Sequence, residues 1–284
     1  MTPKFQNINY DIDKLPTMPL IATRMVEMLN SPRSSAEELA RVISGDPAVS
    51  ARVLKIANSA FYAMSRQVKT LSTAIVILGE KTLRNLVLAA SLRGMNANFG
   101  PVEQMLWEDS MTCALGSRFL ARFLKVGDPE EAFVAGLFRH IGRVVLNNQE
   151  SKAYQELVRQ QKNCGRQLME EERARFGIGH AELGAAVLEQ WRLSEVMSLV
   201  ALHHHDEDLD AIEDEEARTL TAIVNIAGEF PLLLGVFGDA EAEEAKALIE
   251  LPGAKYFSLE AERMDEILEE FGEVFEKNRE DFLG

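Results

Sequence analysis

The sequence has little of what disulfide-bonded, sheet-based or membrane-spanning proteins require. Two cysteines, Cys113 and Cys164, stand in 284 residues. That is too few for a disulfide framework, and both are expected as reduced thiols of a cytosol. Aromatic residues make up 7% of the chain, with four tyrosines and two tryptophans. No alternating stretch of useful length and no Asn-Gly hairpin turn occurs, which argues against a sheet architecture. The longest apolar stretch, AIVNIAGEFPLLLGVFG at 222–238, is interrupted by Glu229 and Pro231. It falls short of the roughly 20 residues that a bilayer-crossing helix needs. The first residues, MTPKFQNINYDID, lack the basic start and apolar run of a signal peptide. A cytoplasmic protein without membrane contact is expected.

What is present is a globular composition. With 46% hydrophobic and 26% charged residues, the chain can bury the core of one large or two ordinary domains. A disordered tail protein and a collagen-like fibre are excluded. Basic residues are in deficit, 30 against 45 acids, for a net charge of −15. The deficit is uneven: residues 1–100 hold seven acids and twelve bases, whereas 24 acids face six bases after His205. Two readings of that asymmetry stand: regions with different partners, or a well-solvated acidic face.

Helix signals recur along the chain. After Pro16 and Pro19, the residues Ile21, Met25, Met28 and Leu29 share one face, and Ser31-Pro32 ends the helix. Ser35 with Glu38 reads as a capping box. Asp46-Pro47 reads as an N-cap followed by a proline at the first helical position, with Val49, Val53, Ile56 and Ala57 as its apolar stripe. Ser72–Leu78 stops at Gly79, and Lys81–Leu92 forms the next helix. The break NANFGP at 96–101 marks a domain boundary. Beyond it, helices are expected over 102–124, 129–147, 151–163, 167–175, 180–191 and 195–204. A last amphipathic helix carries Leu259, Met264, Ile267, Leu268, Phe271, Val274 and Phe275. It is expected to pack on its own domain, with a partner or dimer contact as the alternative.

The chemistry-bearing residues are few. Five histidines occur: His140, His180 and the run His203-His204-His205. Imidazole is the commonest metal ligand, so histidines on successive helices of a bundle are a candidate metal site, against structural or surface histidines as the alternative. Three consecutive helical residues point about 100° apart, so at most two of the run can face one site. The spacing of Ala74-Ile75, Leu78-Gly79, Leu83 and Leu86-Val87 also resembles a helix-turn-helix. However, the basic residues of that half, such as Arg24, Arg41, Arg52 and Arg84, are dispersed rather than clustered. Nucleic acid is not expected as a partner. Asn58-Ser59 reads as a helix-ending polar pair that bonds local backbone.

One succession of motifs is more specific. Leu15-Pro16 and Met18-Pro19 are followed by Asp46-Pro47, Ala57-Asn58-Ser59-Ala60-Phe61, and Ala74-Ile75 leading to Leu78-Gly79. LWEDS at 106–110, FVAGLFRHIGRVVL at 133–146, GHAELGAAVLEQW at 179–191 and the histidine run continue the series. Over roughly residues 12–230 the chain resembles the HDOD domain, a bacterial signalling module related to HD-type phosphohydrolases. The resemblance implies an all-α fold: an N-terminal helical bundle, residues 1–98, packed on a degenerate HD-like helical bundle, residues 99–284, with an acidic C-terminal amphipathic helix.

Catalytic HD domains hold metal with an early histidine, an adjacent His-Asp pair and a later aspartate, and the HD-GYP branch adds further histidines. By position, the early histidine falls at Asp109, the pair at Arg139-His140 and the late aspartate at Gly228. His180 keeps its place, as do His203 and His204, with the register open by one to His204-His205. A guanidinium stays protonated and repels a divalent cation, so the hydrolytic route is compromised.

The resemblance therefore implies a non-catalytic regulatory module acting through protein or small-ligand binding, with no catalytic residue and no cofactor. Its vestigial ligand pocket would comprise Asp109, Arg139, His140, His180, His203 and His204. Were a divalent metal present, its ligands would be Asp109, His140, His180 and His204, with Arg139 turned outward. The implied partners are other signalling proteins, and a phosphorylated small ligand that matches the planar fork of Arg139. No receiver, sensor or nucleotide-cyclase segment is visible, so input is expected through another chain. The alternative is a metal-dependent phosphohydrolase acting on a nucleotide or other phosphoester.

Overall fold

A computed structural model describes residues 15–29, 36–59, 67–95, 99–160, 166–236 and 248–283. Among the described residues every regular element is a helix, as expected. Ser35 of the expected capping box, Ala60-Phe61 and Cys164 lie outside the described residues. The chain divides into two compact units. One takes residues up to Thr17 together with Asn98–Asp265; the other takes Met18–Ala97 together with Glu266–Gly284.

The Met18–Ala97 unit is built from α1 (Leu20–Leu29), α2 (Ala36–Ser44), α3 (Pro47–Ala57), α4 (Leu71–Leu78) and α5 (Glu80–Gly94). Asp46 caps α3: its Oδ1 accepts from the amides of Ala48 and Val49, both at 3.0 Å. The stripe Val49, Val53, Ile56 and Ala57 is buried behind it. Met25, Leu39, Ile43, Ala74, Leu83 and Leu86 complete the core, and α5 packs against α1, α3 and α4. Asn58 ends α3 with a role wider than local capping. Its Nδ2 donates to Leu54 O and to Val68 O, and its Oδ1 accepts from Val68 N. One amide side chain therefore ties the helix end to a strand-less segment ten residues on. Gly79, with φ of +83°, makes the turn from α4 to α5 that a side chain would strain. From the end of the chain, Glu280 O accepts a hydrogen bond from Lys55 Nζ at 3.1 Å.

The larger unit is organised around α6 (Pro101–Leu124), along which α7 (Pro129–Phe138) packs. Their close approach requires Gly136, where a Cβ would fall 2.6 Å from Ser117 Oγ and 2.8 Å from Cys113 O. Then come α8 (Ile141–Gln149), α9 (Ser151–Gln160), α10 (Arg166–Phe176), α11 (His180–Gln190), α12 (Glu195–His203), α13 (Glu215–Ala227) and α14 (Phe230–Leu233). The helix α13 is not among those expected, although Asp214, which caps it through Ala217 N at 2.8 Å, is a cap signal ahead of Glu215-Glu216. Short helices follow at Pro252–Tyr256 and beyond. The helix Ala261–Glu276 runs across the division after Asp265 and buries Met264, Ile267, Phe271 and Phe275, four of the seven residues of the expected stripe. The Leu15-Pro16 signature is held in this unit: the buried Trp191 indole donates to Pro16 O at 2.8 Å.

One expected element splits. The helix expected over 129–147 stops at Phe138 and restarts at Ile141, with His140 at φ −105°, ψ 20°. The cause is packing against α11. A Cβ on Gly142 would lie 2.1 Å from His180 O, so α8 lies against the first turn of α11 backbone to backbone. A straight continuation of α7 would lose that contact.

Candidate functional site: a buried histidine cluster

The interruption between α7 and α8 delivers Arg139 and His140 to the centre of the larger unit. Both are buried, and Asp109 of α6 beneath them is fully buried. Burying a carboxylate is costly unless its oxygens are satisfied, and here both are. Asp109 Oδ1 accepts from Arg139 Nη2 at 2.8 Å, and Oδ2 accepts from His140 Nδ1 at 2.7 Å. Arg139 turns inward, not outward, and its Nη2 also donates to Gly228 O at 3.4 Å. The position of the late aspartate therefore supplies a carbonyl to the guanidinium.

Two other elements bring the remaining imidazoles. His180 is the first residue of α11, and the preceding Gly179 has no side chain with which to cap that helix. Glu172 from α10 does so instead. Its Oε2 accepts from His180 N at 2.8 Å and from His180 Nδ1 at 2.6 Å. His204 and His205 follow the last turn of α12, and His204 Nδ1 donates to Ala201 O at 2.8 Å. Because a carboxylate or carbonyl can only accept, each of these three Nδ1 atoms carries the proton, and wherever the ring is neutral its Nε2 presents a lone pair.

Those nitrogens converge. His140, His180, His204 and His205 each offer a ring nitrogen, all within 4.8 Å of one another. His180 Nε2 lies 3.1 Å from His205 Nε2. The Nε2 atoms of His140 and His204 are buried and meet no hydrogen-bond partner among the described residues. Burial, followed by the neighbouring Arg139 and His180 charges, lowers the His140 pKa well below the imidazole range. Burial, then His205 and His180, does the same for His204. Both rings are therefore neutral donors.

A further polar layer supports the cluster. Arg143 Nε donates to Tyr154 Oη at 3.0 Å, and Tyr154 Oη donates to Glu172 Oε1 at 2.9 Å. Arg143, Tyr154 and Glu172 are all fully buried. Burial pushes the Tyr154 phenol well up, so it stays a donor. Burial would raise Glu172 as well, but the His180 charge and hydrogen bonds outweigh it and hold the carboxyl below its usual range.

Of the six residues expected in the pocket, the structure brings Asp109, Arg139, His140, His180 and His204 together. His203 stands apart: its Nδ1 lies 2.6 Å from Asp206 Oδ2 in a half-exposed pair. Its place in the cluster is taken by His205, because successive residues at a helix end diverge by about 100°. Asp109, expected as a ligand were metal present, is instead the hydrogen-bond partner of His140 and Arg139. The sequence reading left His205 open through the one-residue register alternative, and it missed Arg143, Tyr154 and Glu172. Arg143 is signalled by a cation inside an otherwise apolar run; Glu172 is one of three successive glutamates and carries no such mark.

Among the described residues the chain is all-helical, and the buried centre of its larger unit joins a carboxylate, an arginine and converging histidines. The HDOD domain matches residues 15–207, and the chain belongs to that family. An HDOD domain protein of Geobacter sulfurreducens, of unknown function, is 25% identical. The likeness covers 93% of each chain with a TM-score of 0.75. A protein of Shewanella amazonensis SB2B, assigned provisionally to the phosphohydrolases, is 23% identical over 94% of this chain and 95% of that one, with a TM-score of 0.70; it shows the fold alone. An uncharacterized protein of Treponema pallidum (strain Nichols) is 24% identical over 204 residues, 68% of this chain. The chain spans 38% of the length of that relative. Among the described residues, no helix is long and apolar enough to cross a membrane.

Proposed function

We propose that the protein is a regulatory module of the bacterial cytoplasm that acts through binding, to a signalling protein or a small phosphorylated ligand, and not through hydrolysis. The observation that carries this reading is the buried Arg139–Asp109 pair at 2.8 Å. Metal-assisted phosphoester hydrolysis needs an ion that keeps an open position for water and carboxylates that offset its charge. Here both oxygens of Asp109 are taken, and a permanent cation occupies the place of a ligand. Family membership supports a regulatory role. The net charge of −15 weighs against a polyphosphate partner such as nucleic acid.

The test is direct. Protein purified without chelators, and the same protein supplemented with Mn²⁺, Fe²⁺ or Zn²⁺, is incubated with phosphomonoesters, nucleotides and cyclic dinucleotides. Product is expected to stay at the level of a protein-free blank. Calorimetric titration with the same compounds then separates small-ligand binding, with intact ligand recovered, from a role confined to protein partners. Multiple turnover that disappears in His180→Ala would overturn the reading.

A further inference from the structure

The geometry points to a metal centre of a kind different from the hydrolytic one: a closed four-nitrogen site for a late first-row divalent ion, with His140, His180, His204 and His205 as its ligands. Three observations converge on it. First, a tetrahedral ion bound at about 2.0–2.1 Å sets its ligand atoms about 3.3 Å apart. His180 Nε2 and His205 Nε2 already stand at 3.1 Å, and no donor atom of the four is more than 4.8 Å from another. Side-chain adjustments of about an ångström close the rest.

Second, the Nδ1 atoms of three of the four rings are already engaged outward, with Asp109, Glu172 and Ala201 O. A ligating histidine ordinarily shows this arrangement: the outer partner fixes the tautomer, aims the ring and raises its basicity. Third, the inward Nε2 atoms of His140 and His204 are buried and unpartnered among the described residues. Leaving a buried acceptor unmet costs about 1–3 kcal/mol, and an ion relieves both at once.

The donor set also selects the ion. Imidazole suits Zn²⁺, Ni²⁺, Cu²⁺ and Fe²⁺, whereas Mg²⁺ and Ca²⁺ require oxygen. The formal charges around the cluster, Asp109 and Glu172 against Arg139 and Arg143, cancel. Nitrogen bonds, not a negative field, hold the ion. Four protein ligands leave no open position for water, so the ion is structural or regulatory rather than hydrolytic. The site is independent of the regulatory reading. Turnover by metal-loaded protein would overturn that reading and leave the site, whereas failure to bind metal would overturn the site alone.

Zn²⁺ and Co²⁺ serve as the probes, added to chelator-treated, dialysed protein. The expected result is about one Zn²⁺ retained per chain after gel filtration, with a rise in thermal midpoint as for any ligand that binds only the folded state. Co²⁺ is expected to give the intense visible bands of a tetrahedral nitrogen site. His205→Gln, at the half-buried ligand, should lower Zn²⁺ affinity by about tenfold or more, and Asp109→Asn, through its outer contact to His140, by about 10–100-fold. His203→Ala should bind as wild type does. Circular dichroism confirms that each variant is folded. Zn²⁺ retention unchanged in folded His205→Gln, or Co²⁺ spectra of octahedral oxygen type, would assign the ion to surface carboxylates and overturn the proposal. Retention lost in His203→Ala would do so as well.

Discussion

A tyrosine hydroxyl between an arginine and a glutamate, all three fully buried, is the polar spine behind the cluster. Tyr154→Phe preserves the ring and removes only that hydroxyl, so Glu172 Oε1 loses its donor and Arg143 Nε its acceptor. Buried polar groups stripped of a partner cost about 1–3 kcal/mol. Urea unfolding of the folded variant is expected to show a loss in that range, and a variant as stable as wild type would refute the role. Glu103 supplies a pH-dependent counterpart away from the histidines. Burial pushes its carboxyl up, but hydrogen bonds from Asn147 Nδ2 at 2.7 Å and Gly100 N at 2.9 Å, with a longer one from Gln155, win and hold it below 4.5. The unfolded chain therefore takes up a proton first as pH falls. The stability that Glu103 contributes is present above about 4.5 and is lost as pH drops through its lowered folded value. Glu103→Gln should trail wild type by about 1 kcal/mol at pH 7 and converge with it in acid; a gap that does not depend on pH would refute the assignment. At this scale the sequence was only partly legible. Asp109, Arg139, His140 and His180 could be read because motif positions mark them. His205 could not be told from His203 without the geometry of the helix end, and Glu172 looks like the two glutamates before it.

At the scale of elements, the site depends on a helix that stops early. The sequence shows a continuous apolar pattern from Phe133 to Leu146 and an expected helix through it. The break at Arg139-His140 is set by a tertiary contact, the approach of Gly142 to His180 O, which no local pattern encodes. Gly142→Ala tests this. Its Cβ would fall 2.1 Å from a backbone oxygen that cannot swing away, and overpacking of this kind costs about 1–3 kcal/mol. Helix propensity pulls the other way, since Ala is better than Gly by about 1 kcal/mol in a helix interior. A net destabilisation in thermal unfolding is therefore expected only if the close approach governs, and a stabilised variant would show that it does not. Elsewhere the elements were legible for physical reasons. Asp46-Pro47 and Asp128-Pro129 cap real helices because a short acceptor and a pre-set φ are local properties. The helix α13 was hidden because its apolar residues were read only as part of the stretch 222–238, although Glu229 and Pro231 interrupt that stretch just beyond the helix.

The whole molecule distributes its reporters unevenly, and this makes its organisation measurable. Trp107 and Trp191 are both buried in the Asn98–Asp265 unit, so tryptophan fluorescence follows that unit, while far-UV dichroism follows the helices of both. Each unit has its own core, and a chain with two cores departs from a single all-or-none transition. The two probes are therefore expected to give urea curves that do not superimpose. Asp46→Ala removes the α3 cap in the other unit, at a cost of about 1 kcal/mol. It should move the dichroism-only component to lower urea and leave the fluorescence midpoint in place. Zn²⁺, acting at the histidine cluster, should do the reverse and raise the fluorescence midpoint. Superimposable curves that shift together with Asp46→Ala would show one cooperative unit, and the division of the chain near residue 98 would then carry no thermodynamic meaning. The charge asymmetry gives an independent handle on the same question. Residues 1–100 carry an excess of bases and the rest an excess of acids, so salt, which screens exposed charge, should act on the two transitions by different amounts.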